Sequence, residues 1–129
     1  MCEEPVAEGI LSSCAAALGS GDCAECDYYD CMDLDARCGE DGYFVGYVGA
    51  YCKRFSQVTS PRLSDAGAQW LRDVRTCLIT RMDAWYTPGV TCDAIWDRGI
   101  DDHSVCYLQE GFCSLPWTDW VTVVSPKTM

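Results

Sequence analysis

Three groups of residues have types and spacings on which chemistry could be built. Cys23-Ala-Glu-Cys26 has the CxxC spacing of zinc ligands and redox dithiols. Zinc needs a second ligand pair at comparable spacing, and thioredoxin-type exchange needs a βαβ setting. The sequence supplies neither, so both cysteines are read as structural. The acidic stretch Asp27 to Asp41 offers Asp33, Asp35 and the Asp41-Gly42 pair as oxygen ligands, in the manner of an EF-hand. No frame brings acids to the first, third and fifth positions with glycine at the sixth and glutamate at the twelfth. A solvated acidic face is expected, with at most weak calcium association. No serine, histidine and carboxylate set has a context that argues for a nucleophile, and no cofactor or metal site is expected.

The single histidine lies in His103-Ser104-Val105-Cys106-Tyr107, which resembles the His-Asp-x-Cys-Tyr helix of secreted phospholipases A2. In that family the histidine activates water and the aspartate holds calcium. Here Ser104 stands in the aspartate's place, and no glycine-rich calcium loop bracketed by cysteines lies upstream. His103 is read as a hydrogen-bonded helix-start residue, and a phospholipase-like hydrolase is kept as a remote alternative.

The elements that position these residues belong to one small chain. A length of 129 residues supports one core. Eleven cysteines in that length sit where composition alone indicates a disulfide scaffold, which a reducing cytosol would not maintain. No apolar run approaches the roughly 20 residues of a membrane span, and no hydrophobic signal stretch precedes Cys2, so a mature form with its targeting peptide removed or omitted is expected. There is no asparagine and hence no N-glycosylation acceptor. Residues 1–42 carry eleven acids against one base, Arg37, in a chain of net charge −11. That field repels phosphate backbones and disfavours nucleic acid as a partner.

Glu4 to Leu18 reads as a short helix closed by Gly19-Ser20-Gly21, with Asp22 at the N-cap of a second helix that aligns Cys23, Cys26 and Cys31. In Gly42 to Tyr51, glycines 42, 46 and 49 share one helical stripe, which suggests a close backbone, and tyrosines 43, 47 and 51 share another, read as core or rim packing. Ser64 caps a helix over 64–86 with an apolar face from Trp70 to Trp85, ended by Pro88-Gly89. Thr91 caps Cys92 to Trp96, Gly99 interrupts, and a further helix runs through Cys106 and Leu108. The β-branched segment Leu115 to Val124 reads as extended. The expected fold is all-α: a compact disulfide-braced bundle of four to five short helices (1–114) with an extended tryptophan-containing tail (115–129).

From Cys26 onward the cysteine spacing resembles that of stanniocalcins. Cys38-Gly-Glu-Asp-Gly-Tyr43, Tyr51-Cys52-Lys-Arg-Phe55, Gly67-Ala-Gln-Trp-Leu-Arg-Asp-Val-Arg-Thr-Cys77-Leu78 and the intervals from Cys92 to Cys106-Tyr107 to Cys113 carry the likeness, over about 90 residues. The resemblance implies a secreted, helical, disulfide-linked homodimer associated with calcium and phosphate regulation. It also implies bonds Cys26 to Cys52, Cys38 to Cys92 and Cys77 to Cys106, leaving Cys31 for Cys14 or Cys23 and Cys113 for Cys2 or Cys23, with the unpaired cysteine open among Cys2, Cys14, Cys23 and Cys113. The chain departs from the family in lacking its glycosylation site, in the longer Cys38 to Cys52 interval and in the absence of the C-terminal region that makes the family's dimer contacts.

The expected function is therefore non-enzymatic protein binding by a secreted, stanniocalcin-like protein, with a protein partner or a second copy joined through the odd cysteine. The alternative is a structural or linker subunit docked peripherally on a larger membrane assembly in an oxidising lumen such as that of the thylakoid. Its motivation is the apolar strip Trp117, Trp120, Val121, Val123 and Val124, the expected partner-binding residues.

Overall fold

The computed structural model describes residues 11–124, and every regular element in that range is helical. A 3-10 segment, Leu11–Ala17, precedes α1 (Asp22–Glu25) and α2 (Asp27–Ala36). π-Helical turns Tyr43–Gly49 run into α3 (Ala50–Arg54), which continues into a second π-helical stretch, Phe55–Thr59. After the 3-10 turn Ser60–Arg62 come α4 (Asp65–Trp85), α5 (Cys92–Gln109), the 3-10 turn Phe112–Ser114 and α6 (Trp117–Val124). The disulfide-braced all-α class follows the sequence expectation. No helix among the described residues is long and apolar enough to cross a membrane.

The long helix α4 forms where its signals predict. The Ser64 hydroxyl accepts the Gly67 N–H at 3.1 Å, satisfying one of the donors that every helix start leaves open, and Asp65 lies in the first turn. Its apolar face serves both core clusters. Ile79 and Met82 pack with Tyr28, Tyr29, Met32, Phe44 and Ile95, whereas Trp70, Leu71, Val74 and Leu78 pack with Cys106, Leu115 and Val123. The Thr91 hydroxyl caps α5 by accepting the Ala94 N–H at 3.0 Å.

Four local expectations are corrected. Leu11–Ala17 is a 3-10 segment rather than part of an α-helix, and residues 4–10 lie outside the described range. Asp22 is the first residue of α1, and the cap position belongs to Gly21, whose φ of 104° suits a residue without a Cβ. Gly99 does not interrupt α5. It sits where a Cβ would come within 2.1 Å of the Tyr43 ring, so the glycine serves close packing inside a continuous helix. The tail is not extended, since 117–124 is helical. Burial of Val123 and the contacts of Asp119 outweigh the strand preference of its β-branched residues. The glycine stripe of 42–51 does meet backbone close by in sequence: a Cβ on Gly46 would collide with the Glu40 carbonyl in the turn before the π-helical stretch, and one on Gly49 with the Phe44 carbonyl within it.

Disulfides join Cys14 to Cys31, Cys26 to Cys52, Cys38 to Cys92 and Cys77 to Cys106, with Cα separations of 5.6, 5.7, 5.8 and 5.8 Å. Three are the pairs implied by the stanniocalcin spacing, and the fourth resolves the choice open to Cys31. Cys23 is disulfide-bonded as well. Cys113, for which a bond to Cys2 or Cys23 and the unpaired role were both open, is free and exposed. Its neighbours explain the orientation: Phe112 and Leu115 turn into the second core cluster, and Cys113 between them faces out.

Candidate functional site

The partner-binding residues proposed from sequence do not act as one strip. Coiling of 117–124 sends Val123 into the core, 4% exposed, while Trp117 is 70% exposed and Val121 and Val124 are exposed beside it. Positions 117, 121 and 124 share one face of a helix. Trp120 belongs partly to the interior, because its indole N–H donates to the Phe112 carbonyl at 2.6 Å and its ring stacks on that of Phe112. The outer face of α6 is therefore Trp117, Val121 and Val124, preceded by the free thiol of Cys113 on the turn that Trp120 holds.

What docks α6 is Asp119. Its carboxylate is 2% exposed and accepts from the Ser64 N–H at 2.9 Å and from the Ser64 hydroxyl at 2.5 Å. Gly67 leaves room for it, since a Cβ there would lie 2.6 Å from Oδ2. The acid thus lies at the positive end of α4 and fixes α6 against it.

The acidic stretch is solvated in part, with Glu40 and Asp41 exposed, and in part engaged, together with the preceding Glu25, in holding the fold. Glu25 accepts from Arg75 Nε at 2.5 Å and from the Gly19 N–H at 2.7 Å. Lys53 pairs with Asp30. Asp33 accepts from the N–H groups of Cys38 and Gly39, closing the turn where Arg37 takes φ 55°, and Asp35 accepts from the Tyr86 hydroxyl. Among the described residues no cluster of three or more histidines, cysteines or acids could hold a metal ion.

His103 sits in the middle of α5 rather than at a helix start, because α5 begins at Cys92. Its Nδ1–H donates to the Gly99 carbonyl at 2.8 Å, and the rings of Tyr43, Tyr47 and Tyr107 lie about it at 6.2, 5.8 and 6.0 Å between centroids. Burial holds its pKa below the ordinary imidazole range, partly offset by the Gly99 bond and the Asp102 charge. Among the described residues no carboxylate bonds to the ring, and Asp102 accepts from Arg81 and Arg98 instead. The folded protein thus resists a proton that the unfolded chain accepts near pH 6.5. Above that pH both states carry neutral imidazole, and as pH falls through it the unfolded state binds more protons and stability drops. Urea midpoints at pH 7.5, 6.5 and 5.5 should fall for the native chain, and His103→Gln should flatten the decline; equal slopes would remove His103 as its source.

Sequence reasoning missed a cleft of about 520 Å³, counting its open mouth, between α3 with its π-helical continuation and α4 and α5. Val48, Tyr51, Phe55, Leu71, Val74, Leu78 and Tyr107 give it apolar walls, and Tyr29, Ser56, Ser60, Arg72, Arg75 and His103 add polar groups. Burial raises the pKa of the Tyr107 phenol to about 12, so it stays a neutral donor. One sequence signal marks the region: six of the nine bases fall within residues 53–81, against two acids.

No family model, curated protein or solved structure matches the chain.

Proposed function

We propose that the protein is a non-enzymatic, stanniocalcin-like binding protein of an oxidising, secretory or extracellular compartment, acting as a homodimer joined through Cys113. The observation that carries this reading is the contrast among the cysteines. The other described cysteines are bonded within the chain, whereas Cys113 is exposed and free beside a helix whose outer face is Trp117, Val121 and Val124. An exposed thiol in an oxidising medium finds a disulfide partner. A two-fold axis near Cys113 would bring two copies of the same apolar face together, as an isologous contact requires. The ring of His103 lacks a carboxylate partner, and the most buried acids are committed to Arg75, Arg81, Arg98 and Ser64, which favours binding over catalysis. A role in calcium or phosphate regulation is part of this proposal and rests on the cysteine-spacing resemblance.

The alternative, a structural subunit docked on a larger assembly, draws on the same exposed face of α6. Mass measurement of protein from an oxidising host separates the two. The homodimer predicts a species of twice 14.3 kDa that reduction and Cys113→Ser each convert to monomer, with Trp117→Asp lowering the dimer yield several-fold. A monomer with a freely titrating Cys113 thiol would overturn the covalent dimer. Co-purifying larger complexes that Trp117→Asp disrupts would favour the docked subunit.

A further inference from the structure

We propose that the outer face of α5 docks a basic, amphipathic helical segment of another protein, its apolar side chains against Trp96, Ile100 and Leu108 and its lysines or arginines against Asp93, Asp97 and Asp101. Residues four apart form ridges along a helix, and every member of two neighbouring ridges of α5 is exposed. One ridge is Trp96, Ile100, Ser104 and Leu108; the other is Asp93, Asp97, Asp101 and Val105. The opposite face, with Ile95, Gly99, Asp102 and Cys106, is buried. Leu108 is 64% exposed. The groove between the two outer ridges thus has one largely apolar side and one largely acidic side, and a partner helix would lay its own ridge there.

The charge of the occupant follows from the pairing of the acids. Asp93 suits the positive end of α5, but Asp97 and Asp101 stand in mid-helix, where like charges four residues apart repel. No base within α5 offsets them: Arg98, its one lysine or arginine, donates to Asp102, and so does Arg81 of α4. None of the three outer acids has an ion pair among the described residues. A basic segment supplies the opposite charge, and lysine and arginine stems also cover apolar surface. A second copy would bring two acidic ridges into one interface, and an anionic lipid surface would be repelled. Trp96 provides a positioned anchor, because its ring packs on those of Tyr43 and Tyr47 at 6.1 and 5.3 Å between centroids. The face lies on a different helix from Trp117 and Val121 and does not depend on the Cys113 dimer.

The test uses the full chain and a fluorescein-labelled peptide of 18 residues, the length of α5, designed with a leucine ridge beside a lysine ridge. Anisotropy titration should saturate, and a scrambled peptide of the same composition should bind severalfold more weakly. Asp97→Asn with Asp101→Asn should weaken binding about tenfold, the combined scale of two ion pairs, and Leu108→Ser severalfold. Glu40→Gln with Asp41→Asn removes the same charge from an exposed turn elsewhere and should leave the affinity unchanged. Cys113→Ser should bind as the native chain does, which separates this site from the covalent dimer. Circular dichroism should show all variants folded, and amide NMR shifts should concentrate in residues 93–108. Absence of saturable binding, equal affinity for the scrambled peptide, equal weakening by the Glu40 and Asp41 substitutions, or shifts centred on 117–124 would each overturn the proposal. So would peptide-free self-association that Leu108→Ser abolishes, which would give the face to a second copy.

Discussion

Replacing both Cys38 and Cys92 with alanine should lower the unfolding free energy by about 4 kcal/mol, the largest loss expected from any single bridge among those described. The bond closes the longest loop, with a sequence separation of 54 against 17, 26 and 29 for the others. Chain-entropy arguments make its removal about 1 kcal/mol more costly than that of Cys14–Cys31. It also ties the turn after α2 to the first residue of α5, and so holds Tyr43 against Gly99, where the ring occupies the space a Cβ would need. Urea denaturation of the two double-alanine variants, C38A/C92A and C14A/C31A, checks the order. Equal losses, or a larger loss for the shorter loop, would mean that native-state packing around each bridge outweighs loop length.

How far the sequence foretells this arrangement depends on whether a residue's neighbours are local. Helix α4 is legible because its cap, Ser64 to Gly67, spans three residues and its apolar face repeats along one element. Thr91 is legible for the same reason. The cysteine pairs are distant, yet family-like spacing supplied three of them. Helix α6 is not legible, because Val121, Thr122, Val123 and Val124 have strand propensity and the group that overrides it, Asp119, finds its partner 55 residues away at Ser64. Gly99 misleads because a glycine that admits a ring looks the same in sequence as one that breaks a helix. The candidate surface was half legible: Trp117, Val121 and Val124 face out as expected, but only helical coiling separates them from Val123. The cleft was opaque. Its walls come from α2, α3, α4, α5 and both π-helical stretches, and only the clustering of bases from Lys53 to Arg81 hints at it.

The bridges and the ion pairs divide the labour of joining elements. Cys77–Cys106 links α4 to α5, and Arg81 reaches Asp102 across the same interface at 2.9 Å. Cys26–Cys52 links the start of α2 to α3, and Glu25 next to it holds Arg75 of α4. These two covalent links thus each have an ion pair close by in sequence, in the first across the same interface and in the second to the neighbouring helix α4. Helix α6 is the exception among the longer helices. Among the described residues no disulfide reaches it, so its position rests on the core contact of Val123, the stacking of Trp120 and the bonds to Asp119.

Asp119→Ala should therefore cost about 3 kcal/mol and release α6 before the rest unfolds. The carboxylate accepts two hydrogen bonds from Ser64 in a buried setting, each worth about 1.5–3 kcal/mol when one partner is charged. Part is recovered, because the Ser64 hydroxyl still receives the Gly67 N–H. Trp120 emission should shift to the red at lower urea than the far-ultraviolet helix signal falls, whereas coincident transitions would place α6 in the same cooperative unit as α4. Gly67 gives a sharper check. In the native chain Gly67→Ala should destabilise by about 1–3 kcal/mol, because its Cβ would meet the Asp119 carboxylate at 2.6 Å. With Asp119 already replaced by alanine that collision is gone, and the same change should be neutral or stabilising by up to about 1 kcal/mol through helix propensity. A reversal of sign in this cycle would locate the docking of α6 in the Asp119–Ser64–Gly67 contact, and additive losses would place it in the apolar packing of Val123 and Trp120 instead.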